Sequence, residues 1–219
     1  IGKEIFGGTG YNIFNPALTA RAFLFFAYPS QMSGNKPWII PVDGLSQATP
    51  LLAKSSYSDI TYDWWDMFYG YIPGSVGETS TLAILLGGII LLITKIGSWR
   101  IMISTCLGLL FTSLLLNQLV LVSNNPMLSL TPIEHFVMGG FAFGMVFMAT
   151  DPVSSSHTDK GRWIYGFLIG FMAVIIRCIN PAYPEGMMLA ILFANAFAPL
   201  IDYSIMQKHI KNRVLKYEK

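Results

Sequence analysis

The sequence predicts an all-α polytopic membrane protein, built as a bundle of spanning helices. Two features of its composition predict this class. Of the 219 residues, 53% are hydrophobic and only 12% are charged, whereas soluble domains carry about 25% charged residues. The third feature is that the apolar residues form continuous blocks, and a spanning helix needs about 20 mostly apolar residues. The small net charge of +2, with no basic run interleaved with aromatic residues, argues against nucleic-acid binding.

Five segments are apolar enough to predict spanning helices. They are Thr79–Gly97, Ile101–Val122, Ile133–Thr150, Trp163–Ile179 and Glu185–Ser204. A sixth apolar segment, Asn15–Tyr28, is interrupted by Arg21. Helix starts are also visible, because Thr131 precedes Pro132 as a capping residue precedes a proline in the first turn.

Four regions follow from this pattern. Residues 1–28 enter the bundle and contain the first apolar helix, and residues 29–78 form a long polar connection. Residues 79–204 hold the five spanning helices, and residues 205–219 form a basic tail. Because the sequence starts without an initiator Met or a signal peptide, we expect it to be a fragment of a protein that continues upstream.

The basic residues predict an orientation for the helices. They gather in the turn after the first spanning helix, in the loop after the third and in the tail, namely Lys95, Arg100, Lys160, Arg162, Lys208, Lys211, Arg213, Lys216 and Lys219. These regions fall on one face when five helices alternate, and cytoplasmic loops are the ones enriched in Lys and Arg. The C-terminus is then cytoplasmic, and the long connection with Thr49 is extracytoplasmic.

The residues that most often bind metals are scattered. The cysteines, Cys106 and Cys178, lie inside apolar segments and are expected to be packing residues. The histidines, His135, His157 and His209, are too far apart in sequence to suggest a zinc site or a haem pair.

Three acids stand at the edges of short apolar runs. The charge-free cores of the third, fourth and fifth predicted helices have 16, 14 and 16 residues, fewer than the roughly 20 needed to cross a bilayer. Asp151, Glu185, Asp202 and also Arg177 are therefore expected near or just within the hydrocarbon boundary, where ionisable groups often mark an ion path. The alternative is that each acid only ends its helix. The turn Asp151–Ser156 is likewise either an ion site or a capped connection.

A short polar segment between apolar blocks carries a candidate flavin attachment site. Its pattern D-x-x-S-x-A-T consists of Asp43, Ser46, Ala48 and Thr49. A threonine hydroxyl can form a phosphoester with FMN when a transferase delivers the phosphoryl group from FAD. The small Ala48 leaves room for such an enzyme, and Pro50 favours an extended backbone before it. A flavin supplies electron-transfer chemistry that side chains lack.

Four stretches carry a resemblance to a known family. They are Tyr11–Pro29, Val42–Leu51, Met148–Ser155 and Asn180–Tyr203. In these stretches, and over nearly its whole length, the chain resembles the B subunits of sodium-translocating NADH:quinone oxidoreductases. The last stretch favours these subunits over their cousins, the D subunits of Rnf electron-transport complexes.

The resemblance implies a fold and a set of cofactor sites. The fold would be half of an inverted-repeat helical bundle similar to urea transporters, in the bacterial inner membrane. FMN would be bound covalently to Thr49 by a flavin transferase outside the cytoplasm. One departure is Gln47, where the family often has Gly. Riboflavin would bind non-covalently at an Asn-x-x-Asn pair, matched by Asn12 and Asn15, and Na⁺-handling acids would map to Asp151, Glu185 and Asp202.

The resemblance also implies an activity. Such a subunit relays electrons from NADH, through FMN and riboflavin, to ubiquinone or menaquinone, and the relay drives Na⁺ outward. Its partners are other membrane and flavin-carrying subunits, which Gly139-Gly140 and Gly166–Gly170 are expected to contact closely. Quinone contacts are expected upstream. The alternatives are an Rnf-type ferredoxin:NAD oxidoreductase subunit, a channel or transporter of the same fold, or a scaffold subunit without a redox role.

Overall fold

The computed structural model describes residues 2–32, 49–55, 62–118, 125–180 and 185–217, and within these ranges every regular element is helical. The predicted all-α class is therefore confirmed. The helices are α1 (Pro16–Ala27), α2 (Pro29–Met32), α3 (Pro50–Ser55), α4 (Trp64–Tyr69), α5 (Thr81–Ile93), α6 (Trp99–Asn117), α7 (Pro132–Val137), α8 (Phe141–Phe143), α9 (Asp159–Ile179) and α10 (Met187–Tyr217). A π-helical turn, Gly144–Met148, continues α8.

Among the described residues, α6, α9 and the first 27 residues of α10 are long and apolar enough to cross a membrane. By contrast, α5 has 13 residues, which span about 20 Å of a hydrocarbon core about 30 Å thick. The predicted helix over 79–97 is thus too long. It stops because Lys95 turns the chain with a φ of +58°, outside the helical region.

The tightest helix pair is α6 with α9, and glycine makes it possible. Gly166 on α9 lies against the Ser104 hydroxyl of α6, and Gly170 lies against the Thr105 carbonyl. A side chain at either glycine would collide with α6. The expectation that Gly166–Gly170 packs against a neighbouring subunit is therefore wrong, because α6 of the same chain already occupies that face.

The predicted helix Ile133–Thr150 is wrong as a single element. The structure breaks it after α7, and the chain resumes as α8 and the π-helical turn. The break falls at Gly139, whose φ of +61° lies in the left-handed region that favours glycine. Gly139 and Gly140 therefore interrupt the predicted helix Ile133–Thr150 and do not form a helix face that packs closely against another subunit.

The basic tail is a helical continuation of the last spanning helix. The last predicted spanning helix was expected to end at Ser204, but α10 continues to Tyr217. No glycine or proline follows Ser204 in this stretch, and most of its residues are good helix formers. The helix does contain Pro199, which has no N–H for the preceding turn.

The long connection contains three short helices in its described part, α2, α3 and α4. Thr49 directly precedes α3. The rest of the attachment motif, Asp43, Ser46 and Ala48, lies outside the described residues.

The basic regions meet at one end of the bundle, as the sequence predicted. Arg100 in the turn after α5 forms an ion pair with Asp159 at the start of α9, at 3.0 Å. Lys160 and Lys208 line a common cleft between α9 and α10. The opposite end of α9 carries Arg177, which lies close to α3.

Candidate functional site

A buried arginine organises the end of the bundle near Thr49. Arg177 is 0% exposed and lies near the end of α9. Its guanidinium donates from Nη1 to the His135 carbonyl at 2.5 Å, from Nη2 to the Met138 carbonyl at 3.0 Å, and from Nε to the Glu185 carbonyl at 3.0 Å. The central carbon of the guanidinium, Cζ, also lies 5.6 Å from the centre of the Phe141 ring, within reach of a cation–π interaction.

These contacts explain how a membrane segment can be broken here. α7 begins with a capping box, in which Thr131 and Glu134 satisfy each other's backbone N–H groups. It ends with carbonyls that no further turn of helix can satisfy, and buried backbone carbonyls need other hydrogen-bond donors. Arg177 provides them. The broken helix and the buried arginine are therefore one arrangement.

Two carboxylates lie beside this arginine. Glu185 pairs with Arg21 of α1 at 3.3 Å, and Glu78 accepts from the Ser75 hydroxyl at 2.6 Å and from the Ser75 N–H at 3.0 Å. Gly140 lies directly against Glu78, since an added Cβ there would be 2.7 Å from the other Glu78 oxygen. We call Arg177, Glu185, Glu78 and Arg21 the Arg177 centre.

The Arg177 centre contains a carboxyl group poised to change protonation. The pKa of Glu185, which precedes α10, is raised from 4.5 to about 7. Burial is the main cause, and the negative charge of Glu78 acts in the same direction, whereas Arg21 and Arg177 oppose both. Glu185 can therefore carry its charge or lose it near neutral pH.

Thr49 directly precedes α3, the short helix that approaches this centre through Leu51. Its hydroxyl accepts a hydrogen bond from the Leu52 N–H at 3.3 Å, and the residue is only 5% exposed. Leu51, which is fully buried, rests on the break: a Cβ added at Gly139 would lie 3.2 Å from Leu51 and 3.3 Å from the Arg177 guanidinium. The predicted flavin acceptor is thus two residues away from a side chain that touches the broken segment.

The predicted ion-path acid Asp202 lies elsewhere, near the start of α9. Its carboxylate accepts four hydrogen bonds, from the Ser156 hydroxyl at 2.7 Å, the His157 N–H at 2.8 Å, and the hydroxyl and N–H of Thr158 at 2.6 and 3.0 Å. Thr158 in turn caps α9 by accepting from the Gly161 N–H. Asp202 therefore ties α10 to the cap of α9. We call Asp202, Ser156, His157 and Thr158 the Asp202 centre.

Asp151 closes a local turn by accepting from the Ser154 hydroxyl at 2.6 Å and from the Val153 N–H at 3.3 Å. Of the three predicted acids, Asp151 and Asp202 face the basic end and Glu185 faces the other. Within the described ranges, no three His, Cys, Asp or Glu side chains come together as a metal site. The sodium assignment of these acids remains a prediction.

The predicted riboflavin pair is placed at the start of α1. Asn15 caps this helix, because its Oδ1 accepts from the N–H groups of Ala17 and Leu18, and its Nδ2 donates to the Met148 carbonyl at 3.4 Å. Asn12 donates to the Phe14 carbonyl at 3.1 Å. Both the oxygen and the nitrogen of the Asn15 amide are thus occupied by hydrogen bonds within the protein. Riboflavin would have to bind through Asn12 or break the hydrogen bonds by which Asn15 caps α1.

A buried residue that sequence reasoning missed joins this region to α9. With the Asn195 amide oriented to satisfy its neighbours, its oxygen accepts from the Asn15 N–H at 3.0 Å and its nitrogen donates to the Tyr165 hydroxyl at 2.6 Å. Both Asn195 and Tyr165 are 0% exposed. An asparagine among apolar residues on α10 was the available signal.

The Arg177 centre was also missed as a unit. Arg177 interrupts a strongly apolar stretch, and an ionisable residue in such a stretch is itself a signal. Glu78 gave none, because it lies in a polar connection, and only the folded chain brings it against Gly140.

Comparison with known proteins identifies the family to which this architecture belongs. The model of the NQR2, RnfD, RnfE family matches residues 1–211. The chain belongs to this family. The resemblance noted in the sequence is thereby confirmed.

Individual relatives are similar over almost the whole chain. Identity is 58% over 98% of this chain with the B subunit of the Na(+)-translocating NADH-quinone reductase of Chromohalobacter salexigens. It is 59% over 99% with the protein of the same name from Ectopseudomonas mendocina, and 54% over 100% with that of Yersinia pestis. The chain covers 53% of the first protein and 54% of the other two, so it spans about half the length of the relatives it matches.

Proposed function

We propose that this chain is the flavin-bearing part of the B subunit of a bacterial Na⁺-translocating NADH:quinone reductase. The observation that carries the proposal is the position of Thr49, whose hydroxyl lies at the start of α3, directly before the residues packed on the charged break. The relatives at 54–59% identity bear the B-subunit name. The Rnf-type D subunit is the second candidate, since the same family model includes it.

Thr49 is the proposed site of covalent FMN. The local chemistry fits a phosphoester, because the hydroxyl oxygen lies beside a hydrogen-bond donor, the Leu52 N–H, which suits an anionic phosphate. FMN, when bound, supplies one- and two-electron chemistry. Because Thr49 is 5% exposed, the bond must form while α3 is lifted from the break. We therefore expect a flavin transferase to act before or during docking of α3.

The Arg177 centre is the proposed point at which Na⁺ affects this subunit. Two carboxylates and two guanidiniums meet there, and Glu185 changes its charge near neutral pH. A cation that approaches Glu185 favours the ionised carboxylate, which changes the balance of charge around the broken segment. Asp151 and Asp202 are proposed to shape the other end of the same route, although Asp202 is already saturated with donors.

The proposed setting is the inner membrane, with α3 on the outer side and the basic end in the cytoplasm. The separation of α3 from the clustered Lys and Arg side chains supports this orientation. The partners would be other membrane and flavin-carrying subunits, with quinone as electron acceptor. The proposal that riboflavin binds at Asn12 and Asn15 rests on the family resemblance. Because the Asn15 amide already caps α1, Asn12 would have to provide the polar contact to riboflavin.

The test of this function compares electron donors in the purified complex. The full-length subunit, or its Thr49→Val variant, is assembled with its partner subunits, and two reactions are measured: quinone reduction by NADH and NAD⁺ reduction by reduced ferredoxin. We expect NADH-dependent quinone reduction that rises with Na⁺ and falls at least tenfold in Thr49→Val, because valine keeps the shape but lacks the hydroxyl. Activity with ferredoxin and NAD alone would favour the Rnf-type subunit, and full activity of Thr49→Val would overturn the redox role of this residue.

A further inference from the structure

A basic cleft opens at the end of the bundle that carries the Asp202 centre. It has a volume of about 310 Å³ and lies between the turn that joins α5 to α6 and the loop before α9. Lys95, Arg100 and Arg162 line it, together with the hydroxyl-bearing residues Thr150 and Ser155. Its described lining residues include no acid.

The positive charge of the basic cleft is only partly balanced. Asp159 lies behind it and reaches Arg100 at 3.0 Å and Arg162 at 3.6 Å, so one carboxylate serves two arginines and Lys95 adds a third positive charge. The first turn of α6 also begins at the cleft, where Ser98 occupies the N-cap position without a side-chain cap. The unpaired N–H groups of a helix start favour an anion.

An apolar groove continues from the cleft along the bundle. It has a volume of about 440 Å³ and lies between α5 and α6. Its walls include Ile89 on α5 and Ile103 and Leu107 on α6, and Leu92 lines both the groove and the basic cleft. The three wall residues are 45–52% exposed. The groove is therefore open, apolar and joined at one end to a concentration of positive charge.

We propose that the basic cleft and the apolar groove together bind one anionic phospholipid. Its phosphate lies among Lys95, Arg100 and Arg162, and one of its acyl chains lies in the groove between α5 and α6. Basic pockets between spanning helices at the cytoplasmic face are suited to anionic headgroups, and a free phosphate has no use for the groove. This site goes beyond the proposed electron-transfer function and does not depend on it.

Lys95 offers an unusually clean way to test the site. Its φ of +58° is a conformation that glycine and asparagine adopt more readily than other residues. Replacing Lys95 by Asn therefore removes the charge while preserving the turn. Lys95→Arg is the matched control, since it keeps the charge at the same strained position.

The experiment measures lipid bound by the purified complex. Complexes are reconstituted in nanodiscs of phosphatidylglycerol and phosphatidylcholine, extracted gently, and analysed by native mass spectrometry for retained phosphatidylglycerol. We expect the wild type to prefer phosphatidylglycerol, Lys95→Asn to bind it about fivefold more weakly, equivalent to about 1 kcal/mol, and Lys95→Arg to match the wild type.

A second pair of variants tests the groove. Leu107→Trp fills it and should reduce retained phosphatidylglycerol at least as much as Lys95→Asn does. Leu114→Trp places the same side chain on an exposed part of α6 outside the groove and should have no effect.

Three results would overturn the proposal. The first is equal retention of phosphatidylglycerol by the wild type, Lys95→Asn and Leu107→Trp. The second is displacement of the lipid by inorganic phosphate at concentrations that leave the bilayer intact, which would identify a free-anion site. The third is loss of a partner subunit from Leu107→Trp with unchanged lipid retention, which would show that protein covers the groove.

Discussion

The two buried charged centres of this molecule solve the same problem in opposite ways. They lie at opposite ends of α9, roughly 30 Å apart at 1.5 Å per residue. Asp202 is a carboxylate with four short hydrogen bonds from backbone and hydroxyl donors. Arg177 is a guanidinium whose hydrogen bonds go to backbone carbonyls, while Glu185 and Glu78 remain beside it.

The difference teaches which charge is available for function. A carboxylate surrounded by neutral donors is fixed in its ionised form, because protonation would break its strongest hydrogen bonds. At the Arg177 centre, two acids and two arginines share a small volume, so each charge depends on the others. We therefore expect changes at the Asp202 centre to affect stability, and changes at the Arg177 centre to affect stability and the response to ions.

The largest effect is expected from Arg177→Ala. It removes two hydrogen bonds to the broken segment, at the His135 and Met138 carbonyls, and one to the Glu185 carbonyl. The buried carbonyls are then left unpaired, at a cost of about 3–5 kcal/mol. The measurement is the melting temperature and yield of the purified complex. Arg177→Lys should recover only part of the loss, because an ammonium group cannot reproduce the planar fork. A melting temperature of Arg177→Ala equal to that of the wild type would contradict the role assigned to this residue.

A somewhat smaller effect is expected from Asp202→Asn. Its amide nitrogen cannot accept a hydrogen bond, so at least one of the buried donors around it loses its partner, and we expect a loss of about 2 kcal/mol. Thermal unfolding of the complex gives this value, and Na⁺ titration of activity provides the contrast. The comparison predicts lower stability with an unchanged Na⁺ concentration at half-maximal activity. An altered Na⁺ requirement with normal stability would place Asp202 in the ion path.

Gly140→Ala tests the contact between the break and Glu78. The added Cβ would lie 2.7 Å from the Glu78 oxygen, so the carboxylate must shift, and we expect a loss of about 1–2 kcal/mol. Glu78→Ala should remove the conflict, and the double variant should therefore be more stable than the sum of the single changes predicts. Strict additivity of the two changes would refute the contact.

The smallest effect concerns pH and Glu185. Because its native pKa of about 7 lies above the ordinary 4.5, folding favours the protonated form. Its contribution to stability is therefore full below about pH 4.5 and is lost as the pH rises to about 7. Glu185→Gln, which cannot ionise, should flatten this part of the melting-temperature profile. A wild-type profile that rises from about pH 4.5 to about pH 7, and is unchanged in the variant, would contradict the assignment.

Much of the fold could be predicted from residue patterns. Composition indicated the membrane class, and the capping pattern at Thr131 and Pro132 correctly marked the start of α7. The distribution of Lys and Arg predicted that three regions distant in sequence lie at one end of the bundle. In each case the signal is local or depends on the charge of a loop as a whole.

The remaining features depend on contacts between distant residues. The apolar run after Ile133 looks continuous. Its break is stabilised by Arg177, 39 residues after Met138, which donates to the buried carbonyls that the break leaves without a helical partner. Likewise, nothing near Asp202 in sequence shows that a loop 44–46 residues earlier would surround it with donors. Spacing predicted only that the three acids lie near the hydrocarbon boundary, and their hydrogen-bond and ion-pair partners could not be read from it.

We propose above all that Thr49, directly before the helix α3 that packs beside the Arg177 centre, carries a covalent flavin. The most direct measurement is ultraviolet fluorescence of the denatured subunit in a gel, after co-expression with a flavin transferase. We predict fluorescence in the wild type and in Ser55→Ala, which changes another hydroxyl of α3, and none in Thr49→Val. Fluorescence that persists in Thr49→Val, or is absent from the wild type while the transferase modifies another substrate, would contradict the account.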